Sequence, residues 1–158
     1  MSTGAFVIYG EQIDRINAAM LRLIKKAEAK CALLVYKDGH LITRQGFTQS
    51  LDTTALSALL AGSFASTREI ARLVGEPEFS VLFHQGKRDH IHVSLVRERG
   101  ILAIVFDDRT TIGMVRLYAR ETADRLKELI STTTGEQAQL DPDFTQSAGV
   151  RIDDMFTE

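Results

Sequence analysis

The chain has 158 residues, 44% of them hydrophobic and 25% charged, with a formal net charge of −2. That length suits one domain with a substantial core, and the near-neutral charge removes the usual electrostatic case for nucleic-acid binding. No apolar run approaches the ~18 residues of a membrane-spanning helix. No basic stretch followed by a secretory apolar run opens the chain, and one cysteine, Cys31, excludes an internal disulfide. A cytoplasmic protein is expected.

In chain order, residues 11–28 come first, with Ile13, Ile16, Met20, Leu23, Ile24 and Ala27 at helical spacing. CALLVY (31–36) reads as a strand. Lys37-Asp38-Gly39-His40 is a hairpin signal leading into a second strand at 40–44, with a loop over 46–50. Residues 51–74, LDTTALSALLAGSFASTREIARLV, predict a long helix capped by Asp52. At 100° per residue this helix has three faces. Leu56, Leu59, Leu60, Phe64, Ile70 and Val74 form an apolar face suited to covering a sheet. Ala55, Ala58, Gly62, Ala65 and Ser66 form a stripe of small residues. Ser57, Arg68 and Arg72 complete the circumference and are expected to meet water. An interior Gly costs a helix about 1 kcal/mol relative to Ala, so the small stripe is read as a place where another backbone packs close.

Gly75-Glu76-Pro77 stops that helix. Strands are predicted at 79–84, at 90–97 and at 101–106, the last (ILAIVF) as a central strand covered on both faces. His90, His92 and Ser94 alternate against Ile91, Val93 and Leu95, so the histidine side is expected to be solvated or interfacial. Thr110 or Thr111 opens a final helix carrying Ile112, Val115, Leu117, Ala119, Ala123, Leu126, Leu129 and Ile130. The order α-β-β-α-β-β-β-α with short connections implies an α+β fold, a five-stranded antiparallel sheet with helices on both faces. The expected organisation is a domain over 1–131, a flexible linker over 132–149 and a docking peptide over 150–158. In that peptide Ile152, Met155 and Phe156 fall at i, i+3, i+4 among acids.

Catalytic constellations are weak. There is no phosphate-binding glycine loop and no nucleophile elbow. His84, His90 and His92 have no specific metal-ligand spacing. Cys31 opens an apolar strand and reads as a small hydrophobe. Asp107 and Asp108 beside Arg109 read as a turn, and Glu76 and Glu78 as solvated turn residues. Arg68 and Arg72, four apart, are able to meet a phosphate or an acidic surface.

The element order, the hairpin KDGHLITRQG, the helix start LDTTALSALLAG and the passage FDDRTTIGMVRL together resemble the roadblock (dynein light-chain-like) superfamily. Within it, they resemble the bacterial proteins that partner an MglA-like small GTPase. The likeness spans residues 12–130 and continues at RIDDMFTE, similar to the acidic-aromatic C-terminus of those proteins. It implies a homodimer formed through the 51–74 helix and the 79–84 strand, with sheets joined edge to edge. It also implies a regulator, not itself an enzyme, that activates a Ras-like GTPase in its GTP-bound state without an arginine finger. Such proteins act in bacterial cell polarity or gliding motility, which implies a cytoplasmic protein concentrated at a cell pole. No cofactor or metal is implied. The platform and dimer helix carry over as Ala58, Ala61, Gly62, Ala65, Ser66, Arg68, Glu69 and Arg72, and the docking peptide as Ile152, Met155 and Phe156. Glu69 departs from the small residue that members often carry there. Two other classes fit the same residues: a non-catalytic roadblock scaffold, and a small-molecule sensory domain. The second needs a pocket lined by convergent polar groups, and none is apparent in the sequence.

Overall fold

The computed structural model describes residues 10–139, with side chains described to residue 130. Helix α1 (Gly10–Ala27) is followed by the hairpin β1 (Cys31–Tyr36) and β2 (Leu41–Gly46), then α2 (Thr53–Leu73). Strands β3 (Val81–Gln85), β4 (His90–Val96) and β5 (Gly100–Phe106) precede α3 (Ile112–Gln139). The sheet order is β2-β1-β5-β4-β3 with antiparallel neighbours throughout. The expected α+β class and element order are therefore the observed ones, and β5 is central, flanked by β1 and β4.

Alternation along the strands divides the core in two. Ala32, Leu34, Leu102, Ile104 and Phe106 pack under α1 and α3 through Ile16, Met20, Leu23, Val115 and Leu126. Cys31, Leu33, Val35, Val93, Ile101, Ala103 and Val105 face the other way and are covered by Leu60 and Phe64 of α2. Period-2 strands require this division, because successive side chains point to opposite faces.

Local chemistry sets the boundaries. Asp52 caps α2, its carboxylate accepting from the Ala55 amide at 3.0 Å. Thr111 caps α3, its hydroxyl accepting from the Met114 amide. Strand β2 runs two residues past the expected 44, because Gln45 and Gly46 continue the ladder opposite Ala32 and Cys31. Gly46 lies at φ +85, where a Cβ would meet the Lys30 carbonyl oxygen at 2.6 Å, so only glycine fits this crossing. Helix α3 continues to Gln139, eight residues into the stretch expected as linker. Thr132–Thr134 and Gly135 weaken the helical signal there, but Glu136, Ala138 and the two glutamines are strong helix formers. Residues 140–149 and the 150–158 peptide with Ile152, Met155 and Phe156 lie outside the described residues.

Candidate functional site

Helix α2 meets the sheet with half of the apolar face its sequence suggests: Leu60 and Phe64 are buried against the strands and Leu56 packs beside them, whereas Leu59, Ile70 and Val74 do not. Its buried residues are Thr53, Ser57, Leu60, Ala61, Phe64 and Ala71, one stripe at helical spacing. Leu59, assigned by sequence to the sheet, is 70% exposed, and Ile70, Leu73 and Val74 also face outward. Ser57, expected in water, is fully buried; its hydroxyl donates to the Thr53 carbonyl at 2.6 Å, which satisfies it without solvent. Ala61, expected on the platform, is buried. The hairpin turn backs onto α2 at Ala58 and Ala61. A Cβ on Gly39 (φ +100) would lie 3.3 Å from the Ala58 Cα and 3.8 Å from the Ala61 Cβ, so the turn passes close to the helix and its conformation favours glycine.

Gly62 has no such explanation among the described residues. A Cβ built there meets nothing within 4 Å, yet glycine inside a helix costs about 1 kcal/mol relative to alanine. Gly62 shares the outward face with Ala55, Ala65 and Ser66, all exposed, and with Leu59 and Leu73, the latter 87% exposed. Beside this face lies a groove of about 560 Å³ between α2 and β3, lined by Ala58, Leu59, Gly62, Ser63, Ser66 and Thr67 on the helix side and Leu82, Phe83 and His84 on the strand side. Among the described residues, strand β3 pairs only with β4 and forms a sheet edge. Val81 and Phe83 on it are exposed apolar residues, a combination that invites pairing with another chain.

The charged residues of α2 are held by neighbours. Arg68 Nη2 lies 3.5 Å from Glu78 Oε1, and Lys37 Nζ donates to the same oxygen at 2.9 Å. The Lys37 hydrogen bond, reinforced by the charges of Lys37 and Arg68, holds the Glu78 carboxyl below its usual range. Glu78 is thus a junction of the hairpin, α2 and the β3 approach rather than a solvated turn residue. Arg72 pairs with Glu69 at 3.1 Å, both exposed. Of the platform residues expected from sequence, Ala58, Gly62, Ala65, Ser66, Arg68, Glu69 and Arg72 are exposed on α2, and Ala61 is not.

The three histidines do not converge. His84 lines the α2 groove. His90 and His92 belong to the opposite face of the sheet and are buried, because α3 lies over β4 where the sequence suggested a solvated or interfacial face. The His90 ring packs against Phe106 (5.2 Å) and Phe83 (6.1 Å); its Nδ1 accepts from the Gly86 amide, which leaves Nε2 to donate to Asp108 at 3.1 Å. Among the described residues no three His, Cys, Asp or Glu side chains gather as a metal-ligand set. Cys31 is buried, and burial pushes its thiol up to about 11, so it stays protonated at neutral pH. Asp107 pairs with Arg109 in the turn expected for it.

His92 is 1% exposed, and neither ring nitrogen has a hydrogen-bond partner among the described residues; the same holds for the Ser94 hydroxyl. Both line a cleft of about 550 Å³ between the β3–β4 hairpin and α3, whose helix side carries Arg116, Arg120, Asp124 and Lys127. Sequence reasoning found no convergent polar cluster, and this one is a correction. Arg116, Arg120 and Lys127 share one helical face, but only the packing of α3 on β4 brings them to His92.

Burial, with Arg116 nearby, depresses the His92 pKa from its usual 6.5. The unfolded chain therefore takes up this proton at a higher pH than the folded one. Stability from the neutral ring is complete above about pH 6.5 and is lost as pH falls towards the folded value. The other groups facing the ring are Arg120, Lys127 and Asp124. Urea unfolding between pH 7.5 and 5.5 is expected to show a downward slope in the native chain that is reduced in His92→Gln. Equal slopes would exclude His92 as the source. Glu78, with its depressed carboxyl, acts in a separate window at and below about pH 4.5.

Among the described residues, the order α-β-β-α-β-β-β-α with one sheet, one helix on one of its faces and β3 at its edge is the architecture of the roadblock class. The chain belongs to the Roadblock/LC7 domain family, whose model matches residues 16–106. Within that family it is MglB-like. It is 42% identical to Myxococcus xanthus MglB, covering 75% of this chain and 96% of that one, with a TM-score of 0.72. The gliding protein MglB of Thermus thermophilus is 26% identical, covers 81% and 97% of the two chains, and superposes with a TM-score of 0.76. The uncharacterized protein MJ0310 of Methanocaldococcus jannaschii is 26% identical over 117 residues, 74% of this chain and 98% of its own. No described helix is long and apolar enough to cross a membrane.

Proposed function

We propose that this protein is a GTPase-activating regulator of an MglA-like small GTPase, acting as a homodimer joined through the outward face of α2 and the open edge of β3. The observation that carries this reading is the face around Gly62. It is apolar, small-featured, exposed and unexplained by packing among the described residues, and it lies beside an unpaired strand edge in an MglB-like sequence. Pairing two β3 edges would remove both open edges at once and bring the two α2 helices side by side. The paired helices then form the platform for one GTP-bound GTPase. The likeness to the gliding protein of Thermus supports a role in gliding motility.

The platform acts without an arginine finger, biasing the switch loops towards the geometry in which the GTPase's own catalytic groups are aligned. The ion pairs of Arg68 with Glu78 and of Arg72 with Glu69 support this, since each guanidinium already has a carboxylate beside it. Arg68→Ala and Arg72→Ala are each expected to leave stimulated GTP turnover within about threefold of the native level. A finger lost from the reaction costs about 10³-fold or more, so a loss of that size with the complex intact would assign the finger to this chain.

The 150–158 peptide, through Ile152, Met155 and Phe156, reaches a second surface of the GTPase and tunes nucleotide exchange. Tethering keeps its local concentration high, so weak docking suffices. Deleting 150–158 is expected to leave the dimer intact, weaken the complex modestly and change fluorescent-nucleotide release more than hydrolysis, with Phe156→Ala reproducing much of the effect. Unchanged release and affinity would remove this role. The deciding experiment for the whole reading is GTP turnover by the cognate MglA-like protein with and without this chain. Binding without stimulation would instead make the protein a scaffold.

A further inference from the structure

The cleft on the opposite face of the sheet is not used by the platform. Its floor is β4, where His92 and Ser94, 1% and 6% exposed, each present polar atoms with no hydrogen-bond partner among the described residues. Leaving such groups unsatisfied forfeits the hydrogen bonds they made with water, and native chains rarely do so without a ligand, ion or water to complete them. The rim is α3, which brings Arg116, Arg120 and Lys127 against one carboxylate, Asp124. Neither Arg116 nor Arg120 is in an ion pair among the described residues, although the chain as a whole is slightly acidic. The volume, about 550 Å³, is in the range of small-molecule sites.

We infer that this cleft binds a small soluble molecule bearing a phosphate, with the phosphate on the Arg116–Arg120–Lys127 rim and a neutral hydrogen-bonding portion on His92 and Ser94. The division follows from the chemistry of the two walls. Guanidinium groups match phosphate oxygens in bidentate geometry, and a lysine adds a point charge. The floor is different. An imidazole buried beside cations is neutral, offering one donor and one acceptor, and the Ser94 hydroxyl offers both. A bare anion satisfies the rim alone, whereas a nucleotide-sized ligand completes both walls. This site is independent of the GTPase platform, since it lies on the other face of the sheet and is tested on this chain alone.

The test is titration of the full-length, isotope-labelled chain with inorganic pyrophosphate and, separately, with AMP, followed by NMR and calorimetry. Saturable binding of AMP with a Kd below about 1 mM is expected, with shifts of the His92 ring nitrogens and of amides along β4 and α3. Arg116→Ala combined with Arg120→Ala alters only exposed side chains and is expected to weaken AMP binding at least tenfold. Arg22→Ala combined with Arg125→Ala, a cationic pair elsewhere on the surface, is expected to leave it unchanged. Binding of pyrophosphate alone would assign only an anion rim and overturn the two-walled site. So would an AMP Kd above about 1 mM, an unperturbed His92 at saturation, or equal weakening by both pairs of substitutions. In each of these cases ordered water satisfies the floor.

Discussion

Replacing Ala65 with Arg is expected to abolish binding of the GTP-loaded GTPase while leaving the fold intact. Ala65 is exposed in the interior of α2, so the substitution breaks no core contact, and arginine is itself a good helix former. On a platform where a partner packs against a methyl group, a guanidinium on a long stem forces the two surfaces apart or buries an unpaired charge. A loss of about 3 kcal/mol corresponds to a roughly 100-fold rise in Kd, and at least that is expected by calorimetry, with circular dichroism and the urea midpoint unchanged. Leu59→Arg, placed in the groove beside β3, separates the two uses of the helix. It is expected to reduce the solution mass towards the 17.6 kDa of one chain. Native affinity in Ala65→Arg would remove the platform, and a stable dimer in Leu59→Arg would remove the proposed interface.

Phe64→Ala is expected to have the largest effect on stability. Phe64 is buried in the cluster that holds Leu33, Val35 and Val93, and Leu60 is the other large apolar side chain that α2 buries there. Truncating a buried phenylalanine costs about 3–5 kcal/mol through lost burial and the cavity left behind, a large share of the roughly 5–15 kcal/mol that typically stabilises a domain. Because the same side chain fixes the rotation of α2 on the sheet, its loss should also loosen the outward face and weaken partner binding. Urea unfolding checks the first effect. Lys25→Ala, at an exposed position of α1 away from that face, is the control and is expected to cost less than about 0.5 kcal/mol. A cost for Phe64→Ala below about 1.5 kcal/mol, half the low end of that range, would show that α2 is held mainly by other contacts.

Much of the fold was legible because its signals are local. The apolar run CALLVY, the alternation in HIHVSLV, the Asp-Gly turn, the Asp52 cap and the Gly-Glu-Pro stop each report on a few neighbouring residues, and short connections between strands leave few antiparallel topologies. The rotation of α2 was not legible in the same way. Its 21 residues include only three charges, Arg68, Glu69 and Arg72, so the helix is apolar or small nearly all round and its composition marks no water-facing side. Leu59 and Leu60 are adjacent and alike, yet one is exposed and the other buried; Ser57 is polar and lies inside. The missing signal is the sheet itself, whose shape accepts Leu60 and Phe64, and the hairpin turn at Gly39, which backs onto the helix at Ala58 and Ala61.

The sequence by itself therefore determined the element order, the sheet class, the family and which helix carries the candidate site. Those properties follow from periodicity, capping and turn chemistry, which act over a few residues. The tertiary structure alone decided which face of α2 meets the sheet, that β3 is the edge of the sheet among the described residues, that Glu78 joins Lys37 to Arg68, and that α3 lays Arg116 and Arg120 beside His92 and Ser94. Each of these depends on residues far apart in the chain. Their meeting is set by the simultaneous packing of helices on both faces of one sheet, not by any local preference along the chain.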